Sequence, residues 1–283
     1  MQVRGSQILS FRRVLAGLFV GAIGLMTPTA LGQDLPKAED VIDKYIKVTG
    51  GKEAYEKRQD ITVTSSVEFK GQGMSAKATG YQAAPAKSYN VIEIEGMGKI
   101  EEGYDGKVAW ETNPMTGPRI KEGNELEFAI RTATFNGELH WKKLYKSAET
   151  VGSEDIDGKK AFKLKLTPNK GKDEFQFYDA ESGLLVKSTA TIDSQMGELP
   201  VETKYVEYKE MGGVKLPVKV MQVVGGGMQT LEITIEKVEV NTKIPDSKFE
   251  LPKEIKELLD KPKATASAPA AKPEAKKDEP KKP

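Results

Sequence analysis

The sequence predicts a mainly β, α+β protein: one large antiparallel sheet, with a helix at its start and a helical insertion midway. Two observations carry this. The segments FKLKL, EFQF, VKLPVKV and TLEITIE alternate apolar and polar residues, and a period of two sends successive side chains to opposite faces of a strand. Phe162, Leu164 and Leu166 thus share one face while Lys163 and Lys165 take the other, and the same holds for Leu216, Val218 and Val220 and for Leu231, Ile233 and Ile235. Such strands recur from Ile61 to Val240, which describes a sheet with one apolar face and one wet face. The apolar face must be covered by helices, by a second sheet, or by something that is not protein.

The elements follow in order. After Pro36, the residues Ala38, Val41, Ile42, Tyr45, Ile46 and Val48 recur at helical spacing until Gly50-Gly51 stops the helix. A short helix over Glu53–Arg58 comes next. Strands are expected over Ile61–Lys70, Met74–Ala83, Lys87–Glu95, Gly98–Tyr104 and Val108–Thr112, with Tyr104-Asp105-Gly106 as a tight hairpin. Glu122–Thr134 and Gly137–Ala148 have helical composition, and Asn136 is placed to cap the second. Strands resume at Thr150–Ile156, turn at Asp157-Gly158, and run through Lys160–Thr167, Glu174–Tyr178, Leu184–Asp193, Val201–Tyr208, Val214–Val223 and Met228–Val240. Between Ile235 and Val238 the inward parity slips by one residue, which predicts a β-bulge.

The two ends read differently from the body. Arg4, Arg12 and Arg13 precede the apolar run Val14–Met26, and Ala30-Leu31-Gly32 is a small-x-small cleavage signal, so residues 1–32 read as a signal peptide cleaved near Gly32. An uncleaved anchor would want about 20 apolar residues. The pattern fits general secretion better than twin-arginine export, and it predicts a periplasmic protein. Residues 261–283, rich in Pro, Ala and Lys, lack large apolar side chains and are expected to be a disordered tail. Its lysines could touch envelope proteins or an anionic envelope surface.

Several function classes are disfavoured. Residues 33–260 hold 33 basic and 39 acidic residues, a formal −6, with no basic stripe interleaved with aromatics, so no nucleic acid is expected. The chain has no Cys and one His, His140, which leaves no thiolate metal site and no Ser-His or Cys-His pair elsewhere. Glu101-Glu102 and Glu154-Asp155 are adjacent strand residues that point to opposite faces, not converging carboxylates. Met74, Met97, Met211 and Met228 form no tight cluster and read as turn or core packing. The sequence therefore predicts no enzyme, no cofactor, no metal and no catalytic residue.

A resemblance sharpens the reading. The stretch TGYQAAPAKSYN followed by YDGKVAWETNP resembles the bacterial lipoprotein-localisation carriers, the LolA/LolB-like superfamily, at Pro85, Asp105, Gly106, Lys107, Trp110, Asn113 and Pro114. The segment DSKFELPKEI resembles the family's closing motif at Lys248 and Phe249, with the proline one place early at Pro252. Together these span roughly Leu35 to Ile255. The resemblance implies an open, strongly curved antiparallel half-barrel, its concave apolar face capped by the N-terminal helix and the helical insertion. It implies a monomer that binds lipid or an acylated protein. The residues expected to line the cavity are Trp110, Phe162, Leu164, Leu166, Phe175, Phe177, Leu231, Ile233 and Ile235. One departure is plain: the carrier's arginine before the proline, which helps latch the lid, is Ala84 here. The alternative is an envelope scaffold or protein-interaction module in which the same inward residues simply fill a core.

Overall fold

The computed structural model describes residues 35–194 and 197–261. The expected signal peptide, and the expected C-terminal tail beyond Lys261, lie outside the described residues.

Thirteen strands form one sheet, in the order β6-β5-β4-β3-β2-β1-β13-β12-β11-β10-β9-β8-β7. The first meander runs through β1 (Asp60–Phe69), β2 (Met74–Ala83), β3 (Lys87–Ile94), β4 (Gly98–Tyr104), β5 (Ala109–Asn113) and β6 (Gly117–Lys121). The second runs through β7 (Tyr145–Ile156), β8 (Lys159–Pro168), β9 (Glu174–Asp179), β10 (Leu185–Ser194), β11 (Gly197–Met211), β12 (Val214–Val224) and β13 (Gln229–Val240). Pairing of β1 with β13 joins the two, and all pairs are antiparallel. The sheet ends at β6 and β7 and does not close, so it is an open, curved half-barrel. Register shifts interrupt β1–β13, β9–β10, β11–β12 and β7–β8, and such bulges bend and twist the strands that carry them. The expected bulge in β13 is present: Thr64 pairs with Lys237 and Ser65 with Ile235, leaving Glu236 unopposed.

Helices cover one face, here called inner. Helix α1 (Ala38–Val48) lays Ala38, Val41, Ile42 and Tyr45 on Leu164, Leu166 and Tyr178. It ends at Gly50 and Gly51, both at positive φ, a conformation that favours glycine. A one-turn helix α2 (Lys52–Glu56) leads into β1. Helix α3 (Gly123–Ala133) packs Leu126, Ala129, Ile130 and Ala133 on Tyr104 and Ala109.

Three elements differ from the sequence expectation. The second inserted helix is not continuous over Gly137–Ala148: a 3-10 turn at Gly137–His140 and a short α4 (Trp141–Leu144) give way to strand at Tyr145. Asn136 does not cap it, because its backbone is left-handed and its side chain is committed to Arg58 and to the Tyr55 carbonyl. Strand β6 was not among the expected strands; it contains Pro118 and lies at the sheet edge, where a proline that cannot donate to a ladder is tolerated. Finally, the chain after β13 folds over the outer face as a 3-10 turn (Asp246–Phe249) and α5 (Lys253–Asp260), burying Phe249 and Ile255.

Candidate functional site

Ladder register decides which side chains look inward. Leu164 lies opposite Gln176 and Leu166 opposite Glu174. Gln176 lies opposite Ser188, which lies opposite Thr203, then Gln222, then Leu231 and Phe69 in turn. Continuing outward along the first meander, Met74, Ala76 and Ala78 share that face with Ile92 and Ile94.

Against this face, under α1, α3 and α4, lies a cavity of about 540 Å³. Its sheet wall includes Ile61, Gln82, Leu166, Gln176, Tyr178, Ile192, Thr203 and Tyr205, and its helical wall includes Ile42, Tyr45, Phe128, Arg131, Trp141 and Leu144. A smaller compartment of about 280 Å³ adjoins it, sharing Phe128, Thr132 and Ile192. Charged groups in the small compartment form ion pairs: Arg119 bonds Glu125 at 2.7 Å and Glu111 at 2.9 Å, and Lys121 bonds Glu102 at 2.6 Å. The Arg119 guanidinium is correspondingly held above its ordinary pKa, chiefly by the hydrogen bond to Glu125.

The large cavity is amphipathic. Burial pushes the phenols of Tyr45, Tyr145, Tyr178 and Tyr205 upward in pKa, so they stay neutral. Tyr145 donates to Glu174 at 2.8 Å, Tyr178 donates to Gln176 at 2.6 Å, and Tyr205 meets Ser188 at 3.1 Å. The α3 roof is tied on two sides. Arg131 pairs with Glu174 on β9 at 2.6 Å, and Gln82 on β2 donates to the Thr132 carbonyl at 3.0 Å. The Phe135 amide also donates to the Pro85 carbonyl at 3.0 Å, next to the Ala84 position.

The nine residues expected to line the cavity do not stay together. Leu166 borders it, and so does Phe175. Phe162 and Leu164 lie inward but pack under α1, where Leu164 is fully buried core and not cavity wall. Leu231 and Ile233 belong to a separate inner cluster with Val67 and Phe69, and Ile235 sits beside it opposite Ser65. Phe175 and Phe177 pair with Lys165 and Lys163, so their rings point to the outer face, where Lys163 Nζ sits 5.0 Å and 5.3 Å from the two ring centroids. Grouping them with Leu164 failed because β9 is offset by one residue from the assumed parity; its inward set is Glu174, Gln176 and Tyr178.

Trp110 is also corrected to the outer face. It lies across Gly103, whose added Cβ would fall 2.9 Å from the indole, and it stacks on Tyr89 under the C-terminal strap. The exposed His140 lies outside the cavity wall.

Sequence reading missed the polar part of the wall. One signal was available: among the 33 basic residues of the body only Arg58, Arg119 and Arg131 are arginines, and all three line the inner compartments. Arginine is the cation suited to buried, hydrogen-bonded sites.

The open half-barrel with helices on its inner face is a LolA-like fold. The chain is similar to a crystal structure of a LolA superfamily protein from Nitrosomonas europaea, at a TM-score of 0.52 and 12% identity over 77% of this chain and 99% of that one. It is also similar to a domain from Vibrio parahaemolyticus described as belonging to outer membrane lipoprotein sorting, at a TM-score of 0.50 and 12% identity over 75% of this chain and 97% of that one. No family model and no curated protein matches the sequence. At such identities the likeness concerns the fold.

Proposed function

We propose that this protein is a periplasmic, non-enzymatic binder of lipid or of a lipoprotein's acyl chain, held in the inner cavity. The observation that carries the reading is the cavity itself: about 540 Å³ between the sheet and the helices that cover it, within the about 300–1,000 Å³ common for small-ligand sites. Apolar side chains supply most of the grip, since each methylene withdrawn from water contributes about 0.8 kcal/mol. A long chain thus offers on the order of 10 kcal/mol before the costs of ordering it.

The leader pattern ending near Gly32 supports export, with residues 33–260 as the binding domain. Among the described residues no helix is long and apolar enough to cross a membrane. The likeness in fold to proteins of lipoprotein sorting supports the cargo class. The volume favours one chain at a time, as in a single-chain amphiphile or one acyl arm of a larger cargo.

The scaffold reading keeps one specific support, the closed α1 core around Leu164, where the protein's own side chains fill the sheet. Native mass spectrometry after mild purification separates the two. The binder retains a lipid adduct that detergent removes; a mass equal to that of the polypeptide alone, together with no uptake of added lipid, contradicts the proposal.

A further inference from the structure

The three inner arginines are not equivalent. Arg131 is neutralised by Glu174, and Arg119 by Glu111 and Glu125. Arg58 has no such partner. Its side chain borders the large cavity, the residue is only 7% exposed, and among the described residues no carboxylate comes within 4.0 Å of it. Its one side-chain hydrogen bond joins Nη2 to the Asn136 amide oxygen at 2.6 Å, while Nε is buried without a partner, as it is in Arg119 and Arg131. The guanidinium is held between aromatic rings, 4.8 Å from the Tyr55 centroid and 6.0 Å from that of Phe135. Asn136 is itself fixed, its Nδ2 donating to the Tyr55 carbonyl at 2.8 Å.

A buried cation without a counter-charge is costly, and burial lowers the Arg58 pKa while the field of the more distant Glu138 opposes that shift. Retaining such a group at a cavity wall is physically economical when a ligand brings the missing charge. Guanidinium takes carboxylate oxygens in charge-assisted bonds. Arg58 is the cation of this wall without a contact ion pair, which suits a single carboxylate, and the nearby Glu138 disfavours a doubly charged head.

We propose that Arg58 anchors the carboxylate of a long-chain fatty acid, or of a similar monoanionic single-chain amphiphile, whose tail occupies the cavity along Leu166, Tyr178 and Trp141. This rests on the lipid-binding reading above and adds the class of head group to it.

The test compares a long-chain fatty acid with the fatty alcohol and fatty amine of equal length, titrated calorimetrically into wild type, Arg58→Met and Arg58→Lys. In wild type the acid binds at least about tenfold tighter than the alcohol, the gain of a desolvated charge-assisted contact, and the amine binds weakest. Arg58→Met removes the preference, bringing the acid's affinity down to the alcohol's in the same variant. Arg58→Lys keeps part of the preference. Equal affinity for acid and alcohol in wild type overturns the Arg58 assignment yet leaves the cavity a lipid site; so does an acid preference that survives Arg58→Met. If wild type binds none of the three, the lipid-binding reading falls with it. The wild-type comparison needs no substitution, so it decides even if a variant fails to fold.

Discussion

Arg131 on α3 and Glu174 on β9 meet at 2.6 Å inside the cavity, their side chains 11% and 14% exposed. The pair ties the helical roof to the second meander, and Tyr145 adds a hydrogen bond to the other Glu174 oxygen. Breaking one side of a buried pair leaves the other charge uncompensated. Glu174→Gln is expected to destabilise the protein by on the order of 3 kcal/mol in urea unfolding, and to raise hydrogen exchange in Gly123–Ala133 ahead of the rest of the chain. Unchanged exchange in α3 would mean the helix is held by its apolar contacts alone.

Leu164 and Leu166 sit two residues apart on one face but have different neighbours. Leu164→Ala is expected to cost about 3 kcal/mol, within the range for a fully buried leucine, and to leave acyl-probe affinity within about twofold. Leu166→Ala combines a stability loss with altered probe affinity, because Leu166 also forms cavity wall. Paired measurements of chemical stability and probe binding separate the two positions.

Gly103→Ala places a methyl against the indole of Trp110. The expected outcome is a loss of about 1–3 kcal/mol from overpacking and a shifted Trp110 emission, with no effect on cavity binding. An unperturbed emission spectrum would show that the C-terminal strap yields instead.

Asp179 closes the β9–β10 turn, accepting from the Glu181 amide at 3.1 Å, the Ser182 amide at 2.6 Å and the Ser182 hydroxyl at 2.8 Å. Burial works to raise its pKa, but these hydrogen bonds prevail and hold it below the ordinary carboxylate range. A folded-state pKa below the unfolded one gives stability that is fully present above about pH 4 and is lost as pH falls through the folded value. The stability gap between wild type and Asp179→Ala should therefore be flat from neutral pH to about pH 5 and narrow below about pH 4. A gap that does not change across acid titration would assign the residue a purely steric part.

The fold was legible because β periodicity is a local signal. Alternation in FKLKL and TLEITIE marks a face, and even the β13 bulge is visible as a parity slip between Ile235 and Val238. Strand-to-strand parity is not local. Nothing within EFQF says whether Phe175 or Gln176 shares a face with Leu164; the register with β8 decides that, and it turns both phenylalanines outward. Trp110 was drawn inward by its motif, whereas the packing of Trp110 over Gly103 and Tyr89 depends on a strap more than a hundred residues further along. That strap had a signal in Pro252 followed by Ile255, Leu258 and Leu259 at helical spacing. The polar wall was hidden because Arg58, Arg131 and Glu174 look like ordinary surface charges until the chain curls around them.

The central claim is that the inner cavity holds an acyl chain, and Trp141 in its wall can report on it directly. The chain has two tryptophans, so Trp110→Phe leaves Trp141 as the sole reporter. Titrating that variant with a long-chain fatty acid should give a saturable change in Trp141 emission, one equivalent at the plateau, reversed by delipidation. A flat titration in a folded variant, confirmed by calorimetry on wild type, would contradict the account and leave the cavity an empty feature of a scaffold.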